Sequence, residues 1–204
     1  MTEQMSVKIA ALPSLRLTVE AHGLMAKKAL GQNFLLDQNI TDKIINLSLQ
    51  KQNKKDFSGA NVFEVGPGPG GLTRAVLAAE PKSLTVVEMD ERCIAIMNEI
   101  KEKTGDIIHI INGDAMQTDF SVLAPAPRHI ISNLPYNISV PLLVGWLKNI
   151  NAYDSLTLMF QKEVAERITA PIKTKDYGRI SVLSQLQCRI AHLLALHPCC
   201  FSPD

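Results

Sequence analysis

The chain has 204 residues, 46% hydrophobic and 20% charged, and 21 Lys and Arg against 20 Asp and Glu leave a formal net charge of +1. That composition belongs to a globular domain with a full core; it excludes a polybasic coat and an acidic tail but leaves room for local basic patches. No apolar run approaches the roughly 18 residues of a membrane span, and Cys93, Cys188, Cys199 and Cys200 form no CxxC pair, so the chain reads as cytoplasmic, with reduced thiols and no metal site.

Residues 1–26 have no clean periodicity and read as an arm or a short helix ahead of a domain running from 27 to 204. Pro13, Ser14 and Arg16 interrupt the stretch from Ala10 to Val19, so it is not a secretion signal. From Asp37, an N-cap candidate, Ile40, Ile44, Ile45 and Leu47 recur at helical spacing. Beyond the charged loop Lys51–Ser58 the chain alternates. Asn61–Val65, Ser83–Glu88, Ile107–Ile111, His129–Ser132 and Leu156–Phe160 read as strands. Leu72–Ala79, Glu91–Lys103, Pro141–Leu147 and Glu163–Ile168 read as the helices between and after them. Ser181–Gln187 is a further helix and Arg189–His197 a sixth strand. This alternation implies an α/β fold: a parallel sheet with helices on both faces, its ligands gathered at the carboxyl ends of the strands.

The first of these strands opens into Gly66-Pro67-Gly68-Pro69-Gly70-Gly71. Gly66, Gly68 and Gly71 satisfy G-x-G-x-x-G, with Glu88 about twenty residues on, so a dinucleotide-dependent oxidoreductase is a competitor. Two details oppose it. Pro67 and Pro69 have no N–H for a pyrophosphate, and a carboxylate at Glu64 would repel phosphate while suiting a ligand amino group. S-adenosylmethionine (SAM) has an amino-acid end, a sulfonium and no phosphate. Glu88, ending the second strand, can accept both hydroxyls of a ribose, with Asp90 the better helix cap. Asp114, after the third strand, can accept from an adenine amino group, although a strand-end Asp is more often only a cap.

Asn133-Leu134-Pro135-Tyr136 ends the fourth strand. An adenine amine is a poor nucleophile because its lone pair delocalises into the ring. The Asn133 side-chain carbonyl and the Leu134 backbone carbonyl could both accept its N–H groups, favouring a more tetrahedral nitrogen and stabilising charge as it attacks a methyl group. Pro135 fixes the turn, and Tyr136 offers a flat face for an extruded base. The bland alternative is an Asn-x-Pro turn with a core tyrosine.

Jointly these motifs resemble the ribosomal RNA adenine N6,N6-dimethyltransferases, and the bacterial small-subunit branch most of all. Lys27-Lys28-Ala29-Leu30-Gly31-Gln32-Asn33-Phe34-Leu35, the glycine loop, Glu88, Gly113-Asp114, Asn133–Tyr136, Met159–Ala165 and Tyr177–Val182 occur in that family's order. The resemblance implies a Rossmann-like SAM-dependent methyltransferase that dimethylates two adjacent adenines near the 3′ end of small-subunit rRNA, in an immature particle, as a monomer. It implies a cofactor site of Gln32, Asn33, Leu35, Glu64, Gly66, Gly68, Glu88, Met89, Asp114, Ala115 and Asn133, with S-adenosylhomocysteine as product, and catalysis by Asn133 to Tyr136. Family members continue past Phe201-Ser202-Pro203-Asp204 into a last antiparallel strand and a helical domain, both expected to be missing here. The large-subunit enzymes of macrolide resistance share the chemistry, and a non-catalytic RNA-binding assembly factor on the same scaffold is the third reading. Lys27, Lys28, Lys162, Arg167, Lys173, Lys175 and Arg179 flank the crevice in sequence and would either track phosphates or form a solvated face.

Overall fold

A computed structural model of the chain describes residues 2–24 and 33–202. In chain order the elements are α1 (Thr2–Ala10), α2 (Leu15–Ala21), β1 (Phe34–Leu35), α3 (Gln38–Lys51), β2 (Asn61–Val65), α4 (Gly71–Ala78), β3 (Ser83–Glu88), α5 (Glu91–Thr104), β4 (Ile108–Asn112), β5 (Arg128–Asn133), α6 (Ser139–Lys148), β6 (Ser155–Met159), α7 (Lys162–Thr169), α8 (Arg179–Gln187) and β7 (Phe201–Ser202). Side chains mark the helix starts. Asp37 accepts from Asn39 N at 2.9 Å and Asp90 from Arg92 N at 3.1 Å, each satisfying a donor that the first helical turn leaves unpaired.

β2 to β6 form one parallel sheet in the order β4-β3-β2-β5-β6. β2 is central and buried at all five positions, as expected of a strand covered on both faces. On one face Val62, Leu84, Val86, Ile108 and Ile131 join a cluster with Ile44, Ile45, Val76, Ile96, Met97 and Ile100 of α3, α4 and α5. On the other, Phe63, Val65, Val87 and Ile130 pack with Phe120 and with Leu142 and Trp146 of α6. Phe120 bridges Phe63 and Trp146 edge-to-face, at centroid distances of 5.7 and 5.9 Å. α7 and α8 close the β6 side, where Ile168, Ile180 and Leu183 meet Leu143 and Leu147.

One segment extends the sequence reading and another differs from it. The N-terminal stretch forms two short helices, and it packs on the body of the domain: α1 lies against α4 and α5. Arg74 of α4 donates to Pro13 O at 2.6 Å and to Thr18 Oγ1 at 3.4 Å. Short helices carry little periodicity, so this docking was invisible in sequence. Arg189–His197 is not a strand. Its apolar residues are used, Ile190 beside the α6–α8 cluster and Leu194 and Leu196 beside the α3–α5 cluster. Alternation reports only a half-buried chain; a strand also needs a neighbour in register, and among the described residues none pairs with this segment. Instead β7, just beyond it, pairs antiparallel with β1, Phe34 opposite Ser202 and Leu35 opposite Phe201.

Candidate functional site at the strand ends

The strand order reverses between β2 and β5. β3 and β4 extend the sheet to one side of β2, and β5 and β6 to the other. At such a switch point the loops leaving two adjacent strands diverge and open a crevice at their carboxyl ends. Here those loops are Gly66–Gly70 and Asn133–Tyr136. Ser132 Oγ donates to Val65 O at 2.6 Å and ties the two strand ends together beneath it. A Cβ on Gly66 would lie 3.4 Å from the Pro135 ring, so the two loops touch.

The glycine loop turns its donors toward β3 and its own backbone. Gly66 N donates to Val87 O and Gly70 N to Pro67 O, both at 3.0 Å, and Gly68 N–H points to the Glu88 carboxylate. Pro67 and Pro69 have no N–H at all. From 66 to 70, then, Gly66 N and Gly70 N are already paired and the two prolines have nothing to give, so this loop has few backbone donors for the pyrophosphate of a dinucleotide. Gly70 has φ +87°, and a Cβ there would sit 2.6 Å from Ile100 Cδ1; only glycine makes this turn into α4.

Glu88 is half-buried at the tip of β3. Its Oε1 accepts from Met89 N at 2.8 Å and Asp90 N at 2.9 Å. Burial pushes its pKa above the usual carboxylate value, while the N–H groups of Asp90, Met89 and Gly68 pull it back. Asp114 follows β4, and its Oδ1 accepts from Met116 N at 2.8 Å, capping a short 3-10 turn. Beside these two acids stand two exposed apolar side chains, Met89 and Met116. Carboxylates flanked by thioethers suit a nucleoside that carries no phosphate. Met116 was missed in sequence; its only signal is its place two residues after a strand-end Asp.

Asn133, Pro135 and Tyr136 are half-buried, while the Leu134 side chain is in the core. Asn133 Nδ2 donates to Asn33 O at 2.9 Å. That bond takes one of the two Nδ2 hydrogens and fixes how the amide is turned, with Oδ1 as the acceptor it can offer to a ligand. Burial raises the Tyr136 pKa, which keeps the phenol neutral.

Several residues proposed from sequence are either outside the described residues or have side chains turned into the core. Gln32, with Lys27 and Lys28, lies outside the described residues. The side chains of Leu35 and Ala115 are buried in the core clusters. Glu64 is 1% exposed, and Thr73 Oγ1 donates to its Oε2 at 2.7 Å. Burial outweighs that hydrogen bond, and the nearby Glu88 charge adds to it, so the Glu64 pKa rises to about 8. The expected anionic wall is therefore a neutral carboxylic acid at pH 7. The loop disfavours phosphate through its few backbone donors, not through a charge at Glu64. Of the basic residues, Lys162 pairs with Glu166 at 3.8 Å and Arg167 with Glu163, both within α7. Lys173, Lys175 and Arg179 are exposed. Among the described residues no cluster of three His, Cys, Asp or Glu side chains is arranged to hold a metal ion, and no helix is long and apolar enough to cross a membrane. A cavity of about 450 Å³ lies at the opposite, amino end of the sheet, lined by Asn61, Ser83, His109 and Pro125 among others, away from this crevice.

The sheet, its switch point and the strand-end acids define a Rossmann-like methyltransferase fold, and the solved structures agree. A dimethyladenosine transferase from Plasmodium falciparum superposes with a TM-score of 0.66 at 29% identity, over 77% of this chain and 54% of that one. The 23S rRNA methyltransferase ErmE gives 0.54 at 27%, over 74% and 55%. The family model for ribosomal RNA adenine dimethylase matches residues 23–204. This chain belongs to that family. Among its curated relatives, the ribosomal RNA small subunit methyltransferase A of Gluconobacter oxydans is 49% identical over 95% of this chain. That of Paramagnetospirillum magneticum is 45% identical over 96%. The chain spans 62% of the Gluconobacter protein's length and 67% of the other's.

Proposed function

We propose that this chain binds SAM and transfers its methyl group to the exocyclic amine of two adjacent adenines near the 3′ end of small-subunit rRNA, twice at each nitrogen. The observation that carries the reading is the Asn133 amide at the end of β5. Its Nδ2 is held by Asn33 O, and its acceptor end is left for a substrate that donates N–H. Bound SAM supplies an electrophilic methyl group on a sulfonium. Glu88 and Asp114 would hold its ribose and adenine, Met89 and Met116 would flank the ring, and the glycine loop would lie under its amino-acid end.

The chain's own groups then act on the nucleophile. The Asn133 side-chain carbonyl and the Leu134 backbone carbonyl accept the two amine hydrogens, which draws the nitrogen lone pair out of conjugation. As the nitrogen gains positive charge in the attack, both oxygens stabilise it without acting as the base. The methylated amine then gives up one proton to solvent, S-adenosylhomocysteine being the product that leaves. In the second transfer the one remaining N–H is held by one of the two oxygens. The neutral Tyr136 ring gives the extruded adenine a surface to stack on, which is sequence-tolerant and worth roughly 1–3 kcal/mol. Exposed Lys173, Lys175 and Arg179 are available to nearby RNA phosphates, and binding is then salt-sensitive.

The test is calorimetric titration with SAM and with NAD(H), followed by transfer of labelled methyl groups to immature small subunits. SAM binding without NAD(H) binding, with label on N6 of adenine, is the expected result. NAD(H) binding without SAM binding would remove the proposal. SAM binding without transfer, in a chain extended to the length of its relatives, would leave a cofactor-binding assembly factor in its place.

A further inference from the structure

Residues 33–35 run across the crevice wall and touch both loops that form it. The Phe34 ring lies against Gly68: a Cβ there would be 3.0 Å from ring carbons Cδ1 and Cε1. The next carbonyl, Leu35 O, would be 2.9 Å from a Cβ on Gly71, so the backbone rests directly on the first residue of α4. Gln38, at the start of α3, donates from Nε2 to Gly71 O at 3.2 Å. On the outer side, β7 pairs with Phe34 and Leu35. Both side chains are buried, at 6% and 5% exposure. The segment is thus fixed from two sides, and its first carbonyl, that of Asn33, takes the Asn133 amide hydrogen.

An asparagine amide can present either its oxygen or its NH2 to a ligand, and the two faces are nearly isosteric. What selects between them is the partner of the other end. We infer that Phe34, seated on Gly68, is a positioning residue: it holds the Asn33 carbonyl where it locks the Asn133 amide with Oδ1 toward the substrate. The same lock makes the site selective for a base that donates from its exocyclic position. A base carrying a carbonyl there would set oxygen against oxygen. A flipped amide would set NH2 against the target amine, and the reaction would stop with the cofactor still bound. This inference rests on the methyltransferase reading for its consequence, but the lock itself is a property of the chain alone.

The experiment uses the whole chain carrying Phe34→Ala and Phe34→Leu, with two readouts. The first needs neither cofactor nor RNA: 1H–15N spectra of the side-chain amides, with Asn133 assigned by its loss in Asn133→Ser. In the wild type one Asn133 amide proton is expected to be shifted downfield and slowed in exchange. Phe34→Ala should abolish both features, and Phe34→Leu, which keeps an apolar side chain on Gly68, should retain them in part. The second readout is single-turnover methylation of adenine-containing rRNA beside SAM affinity by calorimetry. Phe34→Ala should lower the transfer rate at least tenfold with SAM affinity changed less than threefold, and Phe34→Leu should recover most of the rate. An unchanged Asn133 amide signal in Phe34→Ala would overturn the inference. So would a rate loss matched by an equal loss of SAM affinity, which marks a cofactor-site defect. A wild-type chain that shows the protected amide but transfers no methyl group would count against the proposed function and leave the lock standing.

Discussion

Glu64→Gln should make the protein more stable at alkaline pH, by an amount set by how far burial shifts the acid. In the folded chain Glu64 titrates near pH 8, against an ordinary value of 4.5, because burial disfavours its charged form. Below about pH 4.5 it is protonated in both folded and unfolded chains. Between 4.5 and about 8 the unfolded chain releases a proton that the folded chain keeps. The unfolded state binds fewer protons over that window, so stability falls as pH rises and the loss is complete above about 8. At roughly 1.4 kcal/mol per pH unit, the window is worth about 5 kcal/mol as an upper bound. Gln keeps the shape and the acceptor for Thr73 Oγ1 but has no proton to release. Urea unfolding at pH 5.5, 7 and 8.5 measures this. Relative to their difference at acid pH, the variant should already gain about 1.4 kcal/mol at pH 5.5, and its midpoint should lie up to about 2 M higher at pH 8.5. Parallel stability profiles across that range would mean that Glu64 is ionised in the folded chain, and the neutral-wall account of the crevice would fail.

Asn133→Ala should lower methyl transfer by about 10²- to 10³-fold, the usual loss when one preorganised polar group is removed, with near-normal SAM affinity; an unimpaired rate in single-turnover assays would take Asn133 out of the mechanism. Glu88→Ala should weaken SAM by about 1–3 kcal/mol through lost ribose hydrogen bonds, and calorimetry returning the wild-type affinity would refute that role. His129 has 0% exposure, beside Phe57, with its ring nitrogens 3.0 Å from Lys54 Nζ and 2.7 Å from Ser155 Oγ. Burial, then the Lys54 charge, lower its pKa to about 4 against 6.5. Its contribution is therefore present above pH 6.5 and lost as pH falls through 4. His129→Gln should flatten the acid limb of the stability profile, opposite in sign to Glu64, and an acid limb unchanged in urea titrations at pH 4 to 6.5 would contradict it.

The strands were legible because each is a short apolar run closed by a polar or glycine residue. Observed boundaries of β2 and β3 coincide with the reading, and those of β4, β5 and β6 fall within one residue of it. Glu88, Asp114 and Asn133 were legible for the same reason, since a polar residue at the end of a buried strand stands where the sheet meets solvent. Arg189–His197 was misread because pairing is a property of two segments, and the pattern of one segment does not contain it.

Local pattern alone therefore determined the order of elements, the parallel sheet and the set of polar groups at its carboxyl edge. Periodicity and turn chemistry act over a few residues and need no knowledge of the rest of the chain. Tertiary structure alone decided what those groups are chemically. Whether Glu64 carries a charge depends on the helices that remove water from it. Whether the glycine loop can hold phosphate depends on where its three N–H groups point. How the Asn133 amide is turned depends on a carbonyl one hundred residues earlier in the chain. Solvation and hydrogen-bond direction are set by neighbours in space, and linear spacing carries no record of them.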